Sequence, residues 1–572
     1  MKRIIVFTGI LIISLFLVKT GYAAEYYIDA ASGNDANAGS ESAPWQSLSK
    51  INSITGGDTV YLKGDFVITS QIDITSAVSG TSSDYTSINI WPGYNALIDI
   101  APDIYNLNIQ ASYLDINNLQ FHNNGTLAAN GNAITLADGI QYIIIDHCNF
   151  SDAQNAIYGD GTVGGGISEV EISANWFTGN YNGIKLDYTS NADVYKNYFY
   201  NNSNYGADTT YTDNVLINNN IFYYNRHGII EGGSADLKIL NNTFYHNTSY
   251  GIGTEITTSV LIKNNIFDSN DYALLNILGT SFVTDNNLFN NNNFIGGSGF
   301  PIIDYSDLSS WQALGFDASS LEGDPVFTSI ASGTEDFNLL AGSPAIDSGS
   351  DLSAYFSSDY ANSPRPQGSA FDIGAYEYTS PPTNLTAVNT QAKDLTLTWD
   401  ASCTSCTYSL AYSTVADFSA NVNTVENILT TTQLVDGLKS AKQYYWKIKS
   451  NNGIYDSEYT SVLTAPTKPS QVKQLHINNI TNNEADSEWA KQKRVKHYIV
   501  ALMDSNRHVL RRITVQISQS YLTGSARKVK KTITHLSADK EYKIKVRAKR
   551  KMNGTWYKGK WSDVKTFDTL SN

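Results

Sequence analysis

Between residues 113 and 296 the apolar positions come in short, β-branched groups that alternate with polar residues. Asn- and Gly-rich turns separate them, as in "ADLKILNNTFYHNTSYGIGTEI" from Ala235 onward. Alternation with a period of two, broken by such turns, predicts short strands. One apolar position recurs at fixed spacing: Phe121, Phe150, Phe177, Phe199, Phe222, Phe244, Phe267 and Phe289, with the last five intervals all 22 or 23 residues. Asn stands two residues before six of these Phe (Asn175, Asn197, Asn220, Asn242, Asn265 and Asn287) and again three residues after them. A Gly often follows (Gly183, Gly206, Gly228, Gly251), and then an apolar residue.

A fixed period of this length means one supersecondary unit stacked on itself. The Leu-rich pattern of a leucine-rich repeat is missing, so the repeat predicts a parallel β-helix. Each coil advances one strand spacing, about 4.8 Å. The Phe residues should stack as an internal column. The six Asn residues should form a structural ladder, amide to amide, that satisfies buried turn groups. Asn and Gly should also hold left-handed backbone at the corners. The open ends of such a stack need covers. Residues 25–112 should supply one cover with the first coils. There Ser42 and Pro44 begin a short amphipathic helix with Trp45, Leu48 and Ile51 on one face. Residues 297–378 lose the period and should wrap the other end.

Two further β-modules are expected at 379–465 and 466–572. Each has a Trp in an early strand (Trp399, Trp489) and a Leu six residues before a Tyr (Leu438 and Tyr444, Leu536 and Tyr542). A core Trp and a corner Tyr suit a seven-strand sandwich.

Lys2 and Arg3, the apolar run Ile4–Val18 and the small residues around Ala23 predict a signal peptide over 1–23. The protein should therefore be secreted, extracellular or at the cell surface, with no membrane span after cleavage. Net charge is -15 and pI about 5.0, which argues against nucleic acid as a partner. The charge is divided: residues 466–572 carry 23 Lys and Arg against 8 Asp and Glu, a net of +15, and the remainder carries -30. The basic module could grip an anionic polymer or be a solvated face. Three cysteines make no disulfide framework. Cys403 and Cys406 could close a local disulfide, and Cys148 should be buried.

The lead-in "YYIDAASGNDANAGSESAPWQSLSKIN", "GGDTVYLKGDF" and the repeats resemble right-handed parallel β-helix proteins of the pectate-lyase-like superfamily. "FNLLAGSPAIDSGSD" and "RPQGSAFDIGAYEY" are similar to a closing segment found after secreted bacterial β-helices, which implies structural roles for Asp347, Arg365, Asp372 and Glu377. The tail modules resemble fibronectin type III domains. The resemblances imply an all-β chain: a right-handed parallel β-helix followed by two fibronectin type III-like β-sandwiches.

Chemistry on a β-helix sits on an outer face, where side chains align across coils. After each corner Gly the first residue is apolar and points inward. Alternation then sends Lys185, Asp187, Asp208 and Glu255 outward, with Glu231 out of phase. Arg226 and His227 precede the corner. Lys185, Arg226, His227 and Glu231 are the catalytic candidates. Asp187, Asp208 and Glu255 are candidate oxygen ligands for Ca²⁺. A polysaccharide lyase on an acidic polysaccharide would use a basic residue to take the C5 proton. A glycoside hydrolase would use two carboxylates, such as Asp208 with Glu231 or Glu231 with Glu255. A non-catalytic, adhesive glycan-binding protein of the cell surface needs neither. Arg226-His227-Gly228 resembles a segment of alginate and chondroitin lyases, although Tyr205 stands where their Asn-Lys-Ser partner would lie. The expected partner is an extracellular polysaccharide or cell wall, bound by a monomer.

Overall fold

A computed structural model describes residues 23–101, 107–123, 131–163, 165–255, 259–276, 282–299, 301–403, 406–452 and 456–572. The expected signal peptide, 1–23, lies almost wholly outside them. The chain forms two compact units, ending and beginning at Glu377 and Tyr378.

The first unit is a parallel β-helix of three ladders. Two of them share the strand Thr59–Ile68 and count as one 21-stranded sheet. The third is an 11-stranded sheet that runs from Ile72–Ile74 to Ile303–Tyr305. Neighbouring coils pair in parallel and in register, Phe on Phe: Phe177 with Phe199, Phe199 with Phe222, Phe222 with Phe244. The eight rings from Phe121 to Phe289 stack with centroids 4.5–5.4 Å apart, and all are buried.

The Asn ladder is continuous from Asn175 to Asn287. Each Asn Oδ1 accepts from the backbone N–H of the preceding ladder Asn at 2.8–2.9 Å, and from that residue's amide at 3.0–3.2 Å. A second ladder joins Asn180, Asn202, Asn225, Asn247, Asn270 and Asn292 in the same way. The left-handed backbone sits one residue ahead of each ladder Asn, at Ala174, Lys196, Asn219, Asn241, Asn264 and Asn286 (φ 53–57°). The corner glycines serve a different need. A Cβ on Gly206 would lie 2.6 Å from the Phe222 ring and 2.8 Å from the carbonyl oxygen of Gly228.

At the upstream end Glu25–Asp29 pairs with Thr59–Ile68, and Trp45 stacks on Tyr26 at 5.1 Å. The expected helix is shorter and later, a 3₁₀ helix at Leu48–Ser53 preceded by Ser47. Trp45 lies before it, yet Trp45, Leu48 and Ile51 are all buried, so the expected apolar face forms although the helix starts later. The bridge from Trp45 to Ile28 holds this stretch extended until Ser47.

Residues 297–378 divide their work. Among the described residues the helix Leu308–Gln312 and its flanks cover the end of the stack: Trp311 is buried over Gly296, and its Nε1 donates to Asp317 Oδ2 at 2.8 Å. Asp317 and Ser320 terminate the Asn ladder at Asn287. The chain then runs back along the flank of the coils. The amides of Asn264, Asn241 and Asn219 donate to Ser350 O, Asp372 O and Ser358 O. Arg365, fully buried, pairs with Glu377 at 2.6 Å and also donates to Asn219 Oδ1. The strap thus uses the side chains of left-handed corner residues as docking points, a function that periodicity alone could not reveal.

The second unit holds two sandwiches. In the first, strands between Thr383 and Thr464 form sheets of three and four strands. In the second, sheets of three and five strands span His476 to Asp568. Trp399 and Trp489 are buried. The Tyr444 hydroxyl accepts from Lys439 N and the Tyr542 hydroxyl from Ser537 N, both at 2.9 Å. Cys403 and Cys406 form a disulfide, and Cys148 is free and buried.

Candidate functional site

The outer face of the third sheet carries the candidate residues, and register decides which of them meet. Tyr158 aligns with Lys185, and Lys185 with Asp208. Asp160 aligns with Asp187 in the adjacent outward column. Lys185 Nζ lies 2.6 Å from an Asp187 oxygen and 3.9 Å from Asp208. It also sits 5.7 Å from the Tyr158 ring centroid. Asp208 is buried and accepts from Thr210 Oγ1 at 2.6 Å. Burial raises its pKa, opposed by the Thr210 hydrogen bond and by Lys185. At the sheet edge Tyr188 stacks on Tyr211 at 5.1 Å, and Tyr211 is 54% exposed.

Glu231 faces inward. It aligns with Thr254 and lies three residues after its corner Gly, as the buried Leu186 does. It is fully buried. Oε1 accepts from Ser234 N at 2.6 Å, and Oε2 has no partner among the described residues. Burial pushes its pKa up to about 7, against the Ser234 hydrogen bonds and aided by the charges of Glu255 and Asp208. A side chain enclosed by the coil cannot touch a polymer, so neither carboxylate pair that includes Glu231 can flank a glycosidic bond.

His227 stands in an aromatic run that climbs one ring per coil: Tyr205, His227, Tyr250, Tyr272 and Phe294. Its ring lies 5.1 Å from Tyr205 and 4.1 Å from Tyr250. Burial, with Arg226 adding to it, lowers its pKa to about 4, so the imidazole is neutral at pH 7. The tyrosines cover both faces of the ring, and Arg226 is exposed beside it. Glu255 is exposed two coils beyond Asp208.

Asp187, Asp208 and Glu255, the candidate Ca²⁺ ligands, lie on three different coils. Among the described residues no group of three or more His, Cys, Asp or Glu side chains is placed to hold a metal ion. Lys185 Nζ lies within reach of both aspartates. The structure therefore brings together Lys185, Asp187 and Asp208, with Tyr158 and Asp160 as neighbours the sequence did not single out. It separates Glu231 from them. The offset from the corner Gly contained that information, because Leu186 at the same offset is apolar.

The model of the right-handed β-helix region matches residues 105–252 and 183–294, and that of the fibronectin type III domain matches 380–466. The chain thus carries a right-handed parallel β-helix followed by fibronectin type III-like sandwiches. No curated protein matches the chain. Among solved structures, a two-domain fibronectin type III segment of chicken tenascin is 20% identical, with TM-score 0.25, covering 33% of this chain and all of that one. The FN1–FN3 domains of chicken CNTN1 are 16% identical, with TM-score 0.20, covering 34% of this chain and 70% of that one. Among the described residues no helix is long and apolar enough to cross a membrane.

Proposed function

We propose that this is an exported glycan-binding protein, and that a hydroxyl-rich polysaccharide lies across the outer face of the third sheet beside Lys185, Asp187 and Asp208. One observation carries the reading: a paired ionic cluster of donors and acceptors is joined through Thr210 to the half-exposed Tyr211, which stacks on Tyr188. Sugar hydroxyls need both donors and acceptors, and a sugar's apolar face needs a flat ring. The cluster holds more carboxylate than ammonium, so it suits a neutral stretch of glycan better than a uronate. Export rests on the signal at 1–23.

The test is affinity electrophoresis of the full chain through a panel of neutral and acidic polysaccharides. Asp187→Ala and Tyr211→Ala should each weaken binding to the retained neutral polymer by about tenfold. Unchanged retention of both variants refutes the site.

A second reading, β-elimination on an acidic polysaccharide, is supported by the neutral His227 with Arg226 at its side. It requires unsaturated product from a uronate polymer, lost in His227→Ala. Binding without product selects the first reading.

A further inference from the structure

The excess positive charge of the second sandwich is concentrated on one sheet face. Along Glu541–Met552, Tyr542, Ile544, Val546 and Ala548 are buried, and Lys543, Lys545, Arg547 and Lys549 alternate with them on the other side. Cross-strand register extends the face: Ala501 lies between Arg512 and Lys545, and Ile499 between Thr514 and Arg547. Ile499, Ala501 and Met503 share this outward side yet are buried, which places the long basic side chains over them. Two indoles flank the row. Lys545 and Arg547 sit 5.1 and 4.4 Å from the Trp561 centroid, and Lys549 sits 4.5 Å from Trp556.

Neutralisation is scarce. Lys543 pairs with Glu541 at 2.8 Å. Among the described residues no carboxylate pairs with Arg512, Lys545, Arg547 or Lys549. Arg547 Nε is buried with no partner among the described residues, and burial together with Arg512 lowers the pKa of that guanidinium. Gathering partly buried like charges costs stability, and an anion laid on them removes that cost. Alternate residues of a strand are about 6.8 Å apart, so Lys545, Arg547 and Lys549 form a straight row about 14 Å long. Cations already cover the indoles, so they offer no clear platform of the kind that single-stranded nucleic acid uses for its bases.

We propose that this face binds an anionic polysaccharide, extended along Glu541–Met552 and recognised through its carboxylate or sulfate groups. The surface belongs to the second unit, the outer face of the β-helix to the first.

The experiment titrates the full-length protein with polygalacturonate and with dextran sulfate, which separate carboxylate from sulfate. Neutral dextran and a single-stranded DNA oligonucleotide serve as competitors, at about 50 and 300 mM salt. Binding to at least one polyanion should weaken with salt. The variant Arg512→Gln/Lys545→Gln/Arg547→Gln/Lys549→Gln should bind at least about tenfold more weakly. Removing four cations elsewhere (Lys473→Gln/Lys493→Gln/Lys531→Gln/Lys565→Gln) should cost less than about threefold. Should the first variant fail to fold, Lys545→Gln/Lys549→Gln alone should still lose more than the second. Asp187→Ala and Tyr211→Ala should leave this binding unchanged, so the two surfaces fail or stand separately. Equal losses in the two charge variants, no binding to either polyanion, or DNA displacing both at equal charge concentration overturns the proposal.

Discussion

At the scale of single residues, Glu231 shows how one position in a period of two changes a side chain's role. It lies inside the coil, where the charges of Glu255 and Asp208 act on it. Its folded pKa, about 7, stands above the ordinary 4.5. Below about 4.5 both the folded and unfolded chains are protonated there and its contribution to stability is complete. As pH rises from there to about 7 the unfolded chain releases the proton first, and stability falls by an amount on the order of 3 kcal/mol. Glu231→Gln keeps an acceptor for Ser234 N and cannot ionise. Thermal melts between pH 5 and 8 should therefore show a decline in the parent that is much flatter in the variant. Parallel curves would mean that Glu231 is ionised in the folded protein. The role was legible in part. Leu186 marks the same offset as inward, but only the neighbouring coil shows that Thr254 keeps the position polar.

At the scale of the element, the Phe and Asn columns were visible in the spacing because a stacked coil repeats its core and corner positions. What the spacing concealed was which corner residue bends the chain. Left-handed backbone falls on residues as different as Ala174, Lys196 and Asn219, which share no composition. The following Asn makes each of these turns tolerable by satisfying the backbone around it. Asn220 accepts from two groups of Asn197 and donates to Val194 O, Asn218 O and Asn242 Oδ1. Asn220→Ala should thus strand several buried groups at once, costing on the order of 3 kcal/mol. Asn292→Ala, at the half-buried end of the second ladder, should cost about 1 kcal/mol. Denaturant midpoints of the β-helix transition compare the two. Equal losses would show that the ladder does not act as a connected chain. The flank strap was illegible for a related reason: its partners Asn219, Asn241 and Asn264 look like ordinary turn residues until the chain returns to them from more than 80 residues away.

At the scale of the whole molecule, charge is the property that distinguishes the two ends of the chain. The last 107 residues carry +15 and the rest -30. Opposite charges on separate parts of identical molecules attract between copies. The attraction acts over about 10 Å at 0.1 M salt and about three times as far at 0.01 M. Sedimentation should accordingly show a monomer at about 0.3 M salt and concentration-dependent larger species at about 0.01 M. The variant lacking Arg512, Lys545, Arg547 and Lys549 should associate less than the parent, because it removes cations that no carboxylate among the described residues neutralises. Added polygalacturonate, if it occupies the same face, should dissolve the larger species at low salt before its bulk ionic strength is sufficient to screen them. Association that persists at high salt would instead require an apolar contact, and charge would then not be its cause.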